Sequence, residues 1–401
     1  MFILLLNLKT MIKKLTVIIC SLILLSSCNN ENKKLPEIKK EDTIRSIKIE
    51  TKDQFNWDKY DHAYNNMSRY IAGLAKDSGS AFPQILTKAA TWKKYSDVAN
   101  AEWKKVDSIR LLKMDDWAKA ELENERKNTK TIFYPFSGPD ALHVITFFPN
   151  AKNYYLFALE SLGSFPSFEK MDTATANNYI NTVQNSLEDV FDKSYFITRK
   201  MMNDLSKTNV NGSTPLICLF LVRTDHKILN LKYYHLKGDG SYEETTIDSL
   251  KSFVKIDFIK NNSETPRSIY YFRTNLENKP YAKNIALQGF LNKLDSFDTY
   301  LKSASYLLHY KTFSTIKDYI LARSGTVLED DTGIPFSSFD PKIWHINLYG
   351  KYVKPVRDFS GVYQKDLQAE YERSPSKQKL PFSLGYHWGD KNQNLIKATR
   401  K

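Results

Sequence analysis

The chain has 401 residues, with 58 Lys or Arg against 45 Asp or Glu and a formal charge of +13. That length suffices for a large core and two subdomains, and the lysines are scattered among acids; this argues against nucleic acid and leaves anionic lipid or polysaccharide as the charged partners to consider. The three cysteines and seven histidines show no CxxC, CxxH or HExxH spacing, and no Walker loop or GxGxxG occurs, so neither a metal nor a cofactor is expected.

The first residues read as a targeting segment. Lys13 and Lys14 precede an apolar core, Leu15 to Leu25, too short for a transmembrane helix of about 18 or more residues. Leu25-Ser26-Ser27-Cys28 resembles the lipobox of bacterial lipoproteins, the alternative being an ordinary cleaved signal peptide. The resemblance implies that residues 1–27 are removed, that Cys28 carries lipid and that the body is tethered to the outer membrane. Met11 alone already opens a complete signal. Residues 28–53 are rich in charge and lack aromatics, the composition of a flexible tether.

A helical region plus a first βαβ-like unit is expected over 54–210. Trp57, Tyr60, Tyr64, Met67, Ile71 and Leu74 recur every three or four residues, which places them on one helix face. A longer helical stretch, Thr91 to Leu122, carries Trp92, Tyr95, Val98, Val106, Ile109 and Leu112 as its apolar marks. "TIFYPF", "DALHVITFF" and "NYYLFALESLG" then read as strand, short helix and strand, a unit over 131–162 with a near-minimal crossover. Residues 173–206 return to helix.

The region 211–401 is expected to continue the same body. "LICLFLV", "ILNLKYYHL", "FVKIDFI" and "RSIYYFRT" read as antiparallel strands separated by turn residues. A helix near 285–298 follows, then "KSASYLLHY" as a strand, "FSTIKDYILA" as a helix and "GTVLEDD" as a strand, a second unit over 302–331. "WHINLYGKY" adds a strand, 362–373 a short helix, and the end reads as irregular. The fold class predicted is α+β, a mixed sheet with N-terminal helices, two related βαβ-like units and hairpins between them.

The chemistry-bearing residues are few. Ser137-Gly138-Pro139-Asp140 has the form of a capping box with Ser137 as the cap; a nucleophile elbow would need G-x-S-x-G, which is absent. On a strand, Ser303, Ser305 and His309 would share one face and Lys302, Ala304, Tyr306 and Leu308 the other. Those hydroxyls and that imidazole would then line a pocket or satisfy buried backbone. Ligands of open α/β sheets gather beyond the carboxyl ends of strands, where this topology places Ser137, Asp140, Glu160, Ser303, Ser305, His309, Asp330 and Asp331. Asp331-Thr332-Gly333 and Asp77-Ser78-Gly79 invite comparison with aspartic proteases, whose loops both follow apolar strands; Asp77 instead follows a helix. Cys218, in an apolar run, reads as a buried inert thiol.

At "YPFSGPD", "LKSASYLLH", "VLEDDTGIPF" and "LPFSLGYHW" the chain resembles an uncharacterised family of exported bacterial proteins whose relatives read SASYLMH and QDDSGIP. Glu329 and Thr332 depart from that pattern. The resemblance implies one folded unit from about Trp57 to Trp388 and carries no activity and no catalytic residue. Together these readings suggest an outer-membrane lipoprotein that binds or scaffolds an envelope ligand or protein, with a hydrolase of envelope or extracellular material as the alternative and adhesion to glycans through exposed aromatics as a third reading.

Overall fold

In the computed structural model, residues 62–77, 82–194, 210–374, 379–389 and 392–401 are described; all fall within one unit, Asp53–Lys401. The signal, Cys28, the tether, Trp57, Tyr60 and Ser78-Gly79 lie outside the described residues.

Ten strands form one mixed sheet in the order β4-β3-β5-β6-β2-β1-β7-β8-β10-β9. Its centre is parallel. The strands β1 (Thr131–Pro135), β2 (Asn153–Ala158), β6 (Arg267–Arg273), β7 (Phe297–Leu301) and β8 (Ser324–Glu329) run side by side. Antiparallel strands flank them, with β3 (His226–Leu236), β4 (Tyr242–Glu244) and β5 (Phe253–Lys260) on one side and β9 (Trp344–Gly350) and β10 (Asn394–Arg400) on the other.

Because side chains alternate across a strand, the central strands feed two cores. Ile132, Tyr134, Tyr154 and Leu156 enter one; Phe133, Tyr155 and Phe157 enter the other. The first core packs against α1 (His62–Ile71), α2 (Gln84–Lys88), α3 (Ala90–Val106), α4 (Leu112–Glu121), α6 (Ala141–Phe147), α7 (Thr173–Lys193) and α8 (Thr214–Arg223), with the polar α5 (Glu123–Asn128) following α4. The second packs against α9 (Asn278–Lys283), α10 (Ile285–Asn292) and α11 (Ser314–Arg323). Burial on both faces explains why β1 and β2 read as continuous apolar runs.

Both βαβ units are present, and their arrangement locates the site. The chain leaves β1 through α6 to reach β2 on one side, and leaves β7 through α11 to reach β8 on the other. Right-handed crossovers departing in opposite directions must place their helices on opposite faces. Accordingly α6 lies in the first core and α11 in the second. The two first strands, β1 and β7, are therefore neighbours, paired at Ile132–Asp298 and Phe133–Thr299, and the crevice beyond their carboxyl ends is a topological switch point.

Several expectations are corrected. The run "LICLFLV" is not a strand: Thr214–Arg223 is helix α8, buried from Thr214 to Val222. An apolar run of that length, with Pro215 in the first turn, suits a helix enclosed on all sides as well as it suits a strand. Cys218 sits within it, a buried free thiol. The segment "KSASYLLHY" is not a strand either. The strand ends at Leu301 and the chain turns, with Ser303, Ser305 and Tyr306 left-handed, into a 3₁₀ turn, Leu307–His309. The second unit thus begins at 297, inside the span first read as helix. Val98, Ile109 and Leu112, read as core, are exposed; a π turn at Asp107–Leu111 shifts the stripe at Ile109 and Leu112. The C-terminal residues are not irregular but form β10, between β8 and β9.

Candidate functional site

The site is built from the loops that leave β1, β2, β7 and β8. After β1 the backbone turns left-handed at Phe136 and Gly138, and Asp140 caps α6, its side chain accepting from the His143 amide at 3.2 Å. Ser137 is therefore not the cap. Its amide still donates to Phe157 O of β2, and its hydroxyl donates to Gly138 O at 2.8 Å. Residue 137 extends the strand, and the helix starts three residues later, after Pro139.

Asp140 is 1% exposed and its two oxygens are fully engaged. Oδ1 faces His143 Nδ1 at 2.7 Å; Oδ2 accepts from Tyr134 OH at 2.9 Å and from Lys302 Nζ at 2.8 Å. Lys302 also donates to Ser194 O at 2.5 Å, a carbonyl at the left-handed C-cap of α7. Arg110 donates to the α7 carbonyls of Val190 and Phe191 at 2.8 and 3.0 Å. Two cations thus meet the negative end of that helix. Burial alone would raise the Asp140 pKa, but His143 and Lys302 hold its carboxyl well below the usual carboxylate range. Burial lowers Lys302, opposed by Asp140, and pushes His143 down to about 4. The imidazole is neutral at pH 7. Its Nδ1 lies 2.7 Å from Asp140 Oδ1 and 3.1 Å from Lys302 Nζ.

A second buried cluster holds the loop after β7. Glu329, Asp330 and Asp331 are 0%, 4% and 0% exposed. Asp330 accepts from the Ser303 amide at 2.9 Å and from both the amide and hydroxyl of Thr332. The Thr332 hydroxyl accepts from the Ala304 amide at 2.7 Å, and Tyr306 OH donates to Asp331. Asn394 of β10 donates to Asp331 Oδ1 at 2.9 Å. The tail closes over this cluster: Tyr386 OH and Ser305 Oγ are 2.7 Å apart, and His387 Nε2 lies 3.3 Å from Asp331 Oδ1. Gly385, with φ 65°, sits where a Cβ would come within 2.5 Å of Asp330 Oδ2. Burial raises Glu329 well above the carboxylate range, and burial with the neighbouring Asp331 charge raises Asp330 to about 6.

Strain is concentrated here. Phe136, Ser303, Ser305 and Tyr306 have φ of 58°, 54°, 54° and 56°, each costing about 1–2 kcal/mol for a residue with a Cβ. Hydrogen bonds accepted by Asp330, Asp331 and Thr332 hold Ser303, Ala304 and Tyr306, and Ser305 between them pairs with Tyr386.

Between the loops lies a cavity of about 120 Å³ lined by Ser137, Asp140, Glu160, Ser303 and Ser305 among the expected residues. Asp330 and Asp331 do not line it; they secure the loop that does. His309 is set apart, its ring against Tyr306 at 5.2 Å, since the alternation that grouped it with the serines required a strand. Sequence reasoning overlooked Lys302, His143 and Tyr386. Lys302 had a signal, a lysine closing an apolar strand beside two serines. No family model, curated protein or solved structure matches the chain. The fold is α+β, a ten-stranded mixed sheet with a pocket at its switch point.

Proposed function

We propose that the chain is a small-molecule-binding module of the cell envelope, held at the outer membrane through lipid on Cys28. The single observation carrying the binding part is the pocket beyond the ends of β1 and β7, where open α/β sheets take their ligands and where residues of "YPFSGPD", "LKSASYLLH" and "LPFSLGYHW" meet. The lipobox-like tetrapeptide and the resemblance to exported proteins support the address.

Hydrolysis would need a base within reach of a nucleophile. The Ser137 hydroxyl donates to backbone, that of Ser305 pairs with Tyr386, and Ser303 Oγ has no hydrogen-bond partner among the described residues. That arrangement favours binding over acyl transfer.

Two measurements test the proposal. In a small-molecule thermal-shift screen, a ligand at 100 times its Kd adds about 2.7 kcal/mol, which raises the melting temperature by several degrees. Leu159→Trp, at a rim position 49% exposed, should abolish those shifts without lowering the unliganded melting temperature. Shifts equal in both proteins would refute the pocket. Separately, Cys28→Ala should move the protein from the membrane to the soluble fraction; retention would refute the anchor.

A further inference from the structure

We infer that the chain pairs with a second copy of itself along β9, the strand at one edge of the sheet. Two hydrogen bonds at the ends of β9 fix which way its backbone groups point. Lys351 N donates to Gln393 O at 2.8 Å and Lys401 N donates to Ile343 O at 2.9 Å. Both continue the β9–β10 register by one residue. Bonding residues alternate along an antiparallel pair, so Ile343, His345, Asn347, Tyr349 and Lys351 turn their N–H and C=O toward β10. Trp344, Ile346 and Leu348 turn theirs outward. The Trp344 amide is taken by Asp340 O; the N–H and C=O of Ile346 and Leu348 have no partner among the described residues.

Such a row of edge groups is a template for another strand unless the edge is blunted. The opposite edge is blunted in several ways. There β4 is a short strand, Tyr242–Glu244, and β3 carries Lys227, Lys232 and a bulge between Ile228 and Asn230. The Asn65 side chain of α1 also takes the Ile228 amide at 3.1 Å. By contrast β9 contains no Lys, Arg, Asp, Glu or Pro, and its register with β10 is unbroken. What selects a second copy is the match of this strand to itself. Antiparallel pairing about Asn347 sets Ile346 of one copy opposite Leu348 of the other, so the outward N–H and C=O groups meet one another. The same pairing extends the small core of Leu348, Tyr352, Leu367, Tyr371 and Ile396, on which Ile346 already packs, across the two-fold axis. On the other face His345 comes opposite Tyr349, and the two Asn347 amides, each donor and acceptor, meet at the axis. No like charges are brought together. Because both copies use the same strand, the assembly closes at two.

One strand per copy makes a small interface, of the class below about 1,200 Å² that exchanges readily, so covalent trapping is the suitable readout. The test is oxidative cross-linking of the 401-residue chain, read on non-reducing gels. Asn347→Cys places its two copies in a non-hydrogen-bonded pair at the axis, with Cα atoms about 4.5 Å apart, inside the range of about 4.4–6.8 Å that a disulfide spans. His345→Cys, on the same face two residues away, leaves its two copies about 13 Å apart, four residues at about 3.3 Å each, and out of reach. Asn347→Cys should therefore give a covalent dimer at least about tenfold above both His345→Cys and the wild-type chain, whose own cysteines set the baseline. A dimer yield from Asn347→Cys no higher than that baseline would overturn the inference. So would equal yields from Asn347→Cys and His345→Cys, which would report random collision rather than a fixed register.

Discussion

Asp330 carries the clearest residue-scale consequence. Its folded pKa of about 6 stands above the ordinary carboxyl value of 3.8, so the folded state holds its proton more tightly than the unfolded chain. Its contribution to stability is present in full below the unfolded value and is lost as pH rises through about 6. His143 and His309, lowered to about 4 by burial, act in the opposite sense over an overlapping range. The test is therefore a difference. Relative to Asp330→Asn, the wild-type protein should lose on the order of 3 kcal/mol between pH 4 and pH 7 in denaturant titrations; a pH-independent difference would contradict the assignment. At this scale the sequence was half legible. Asp140 stood out as an acid at a helix start, yet Ser137, three residues earlier, fits the same capping pattern. What separates them is the Ser137 amide bonding to Phe157 O and Lys302 reaching Asp140, and both contacts come from distant segments.

Among the elements, strands and helices with a clear period were readable: β1, β2, α6, α11 and β8 lie close to where the pattern places them. The failures share a cause. Residues 214–222 are enclosed on every side, so neither a period of two nor of 3.6 was written into them. The 302–310 loop alternates polar and apolar residues as a strand would, but its left-handed residues are held there by the Asp330–Thr332 segment, and local sequence does not encode that support. The tail is the third member of the assembly. Gly385→Ala should destabilise by about 2–4 kcal/mol, since it adds a left-handed penalty to an overpacking contact with Asp330. Gly389→Ala, which meets nothing within 4 Å, should be close to neutral by the same thermal melt. Equal effects would mean that the tail does not rest on the cluster as described.

Over the whole molecule, the sequence disclosed two βαβ units but not their order in the sheet. Strand order depends on which faces are covered, and here the helices divide between two cores so that β1 and β7 become neighbours. That adjacency brings "YPFSGPD" and "KSASYLLH" together from distant parts of the chain and creates the pocket. A double-mutant cycle on Asp140 and Lys302 measures the meeting directly. Each of Asp140→Asn and Lys302→Met should cost about 3–5 kcal/mol by leaving its partner buried and unmatched. The double variant should cost about 2 kcal/mol or more less than the two added together, because the second change removes the charge that the first left exposed to the interior. Costs that add to within about 0.5 kcal/mol, as they do for residues not in contact, would contradict the convergence of the two units on one site.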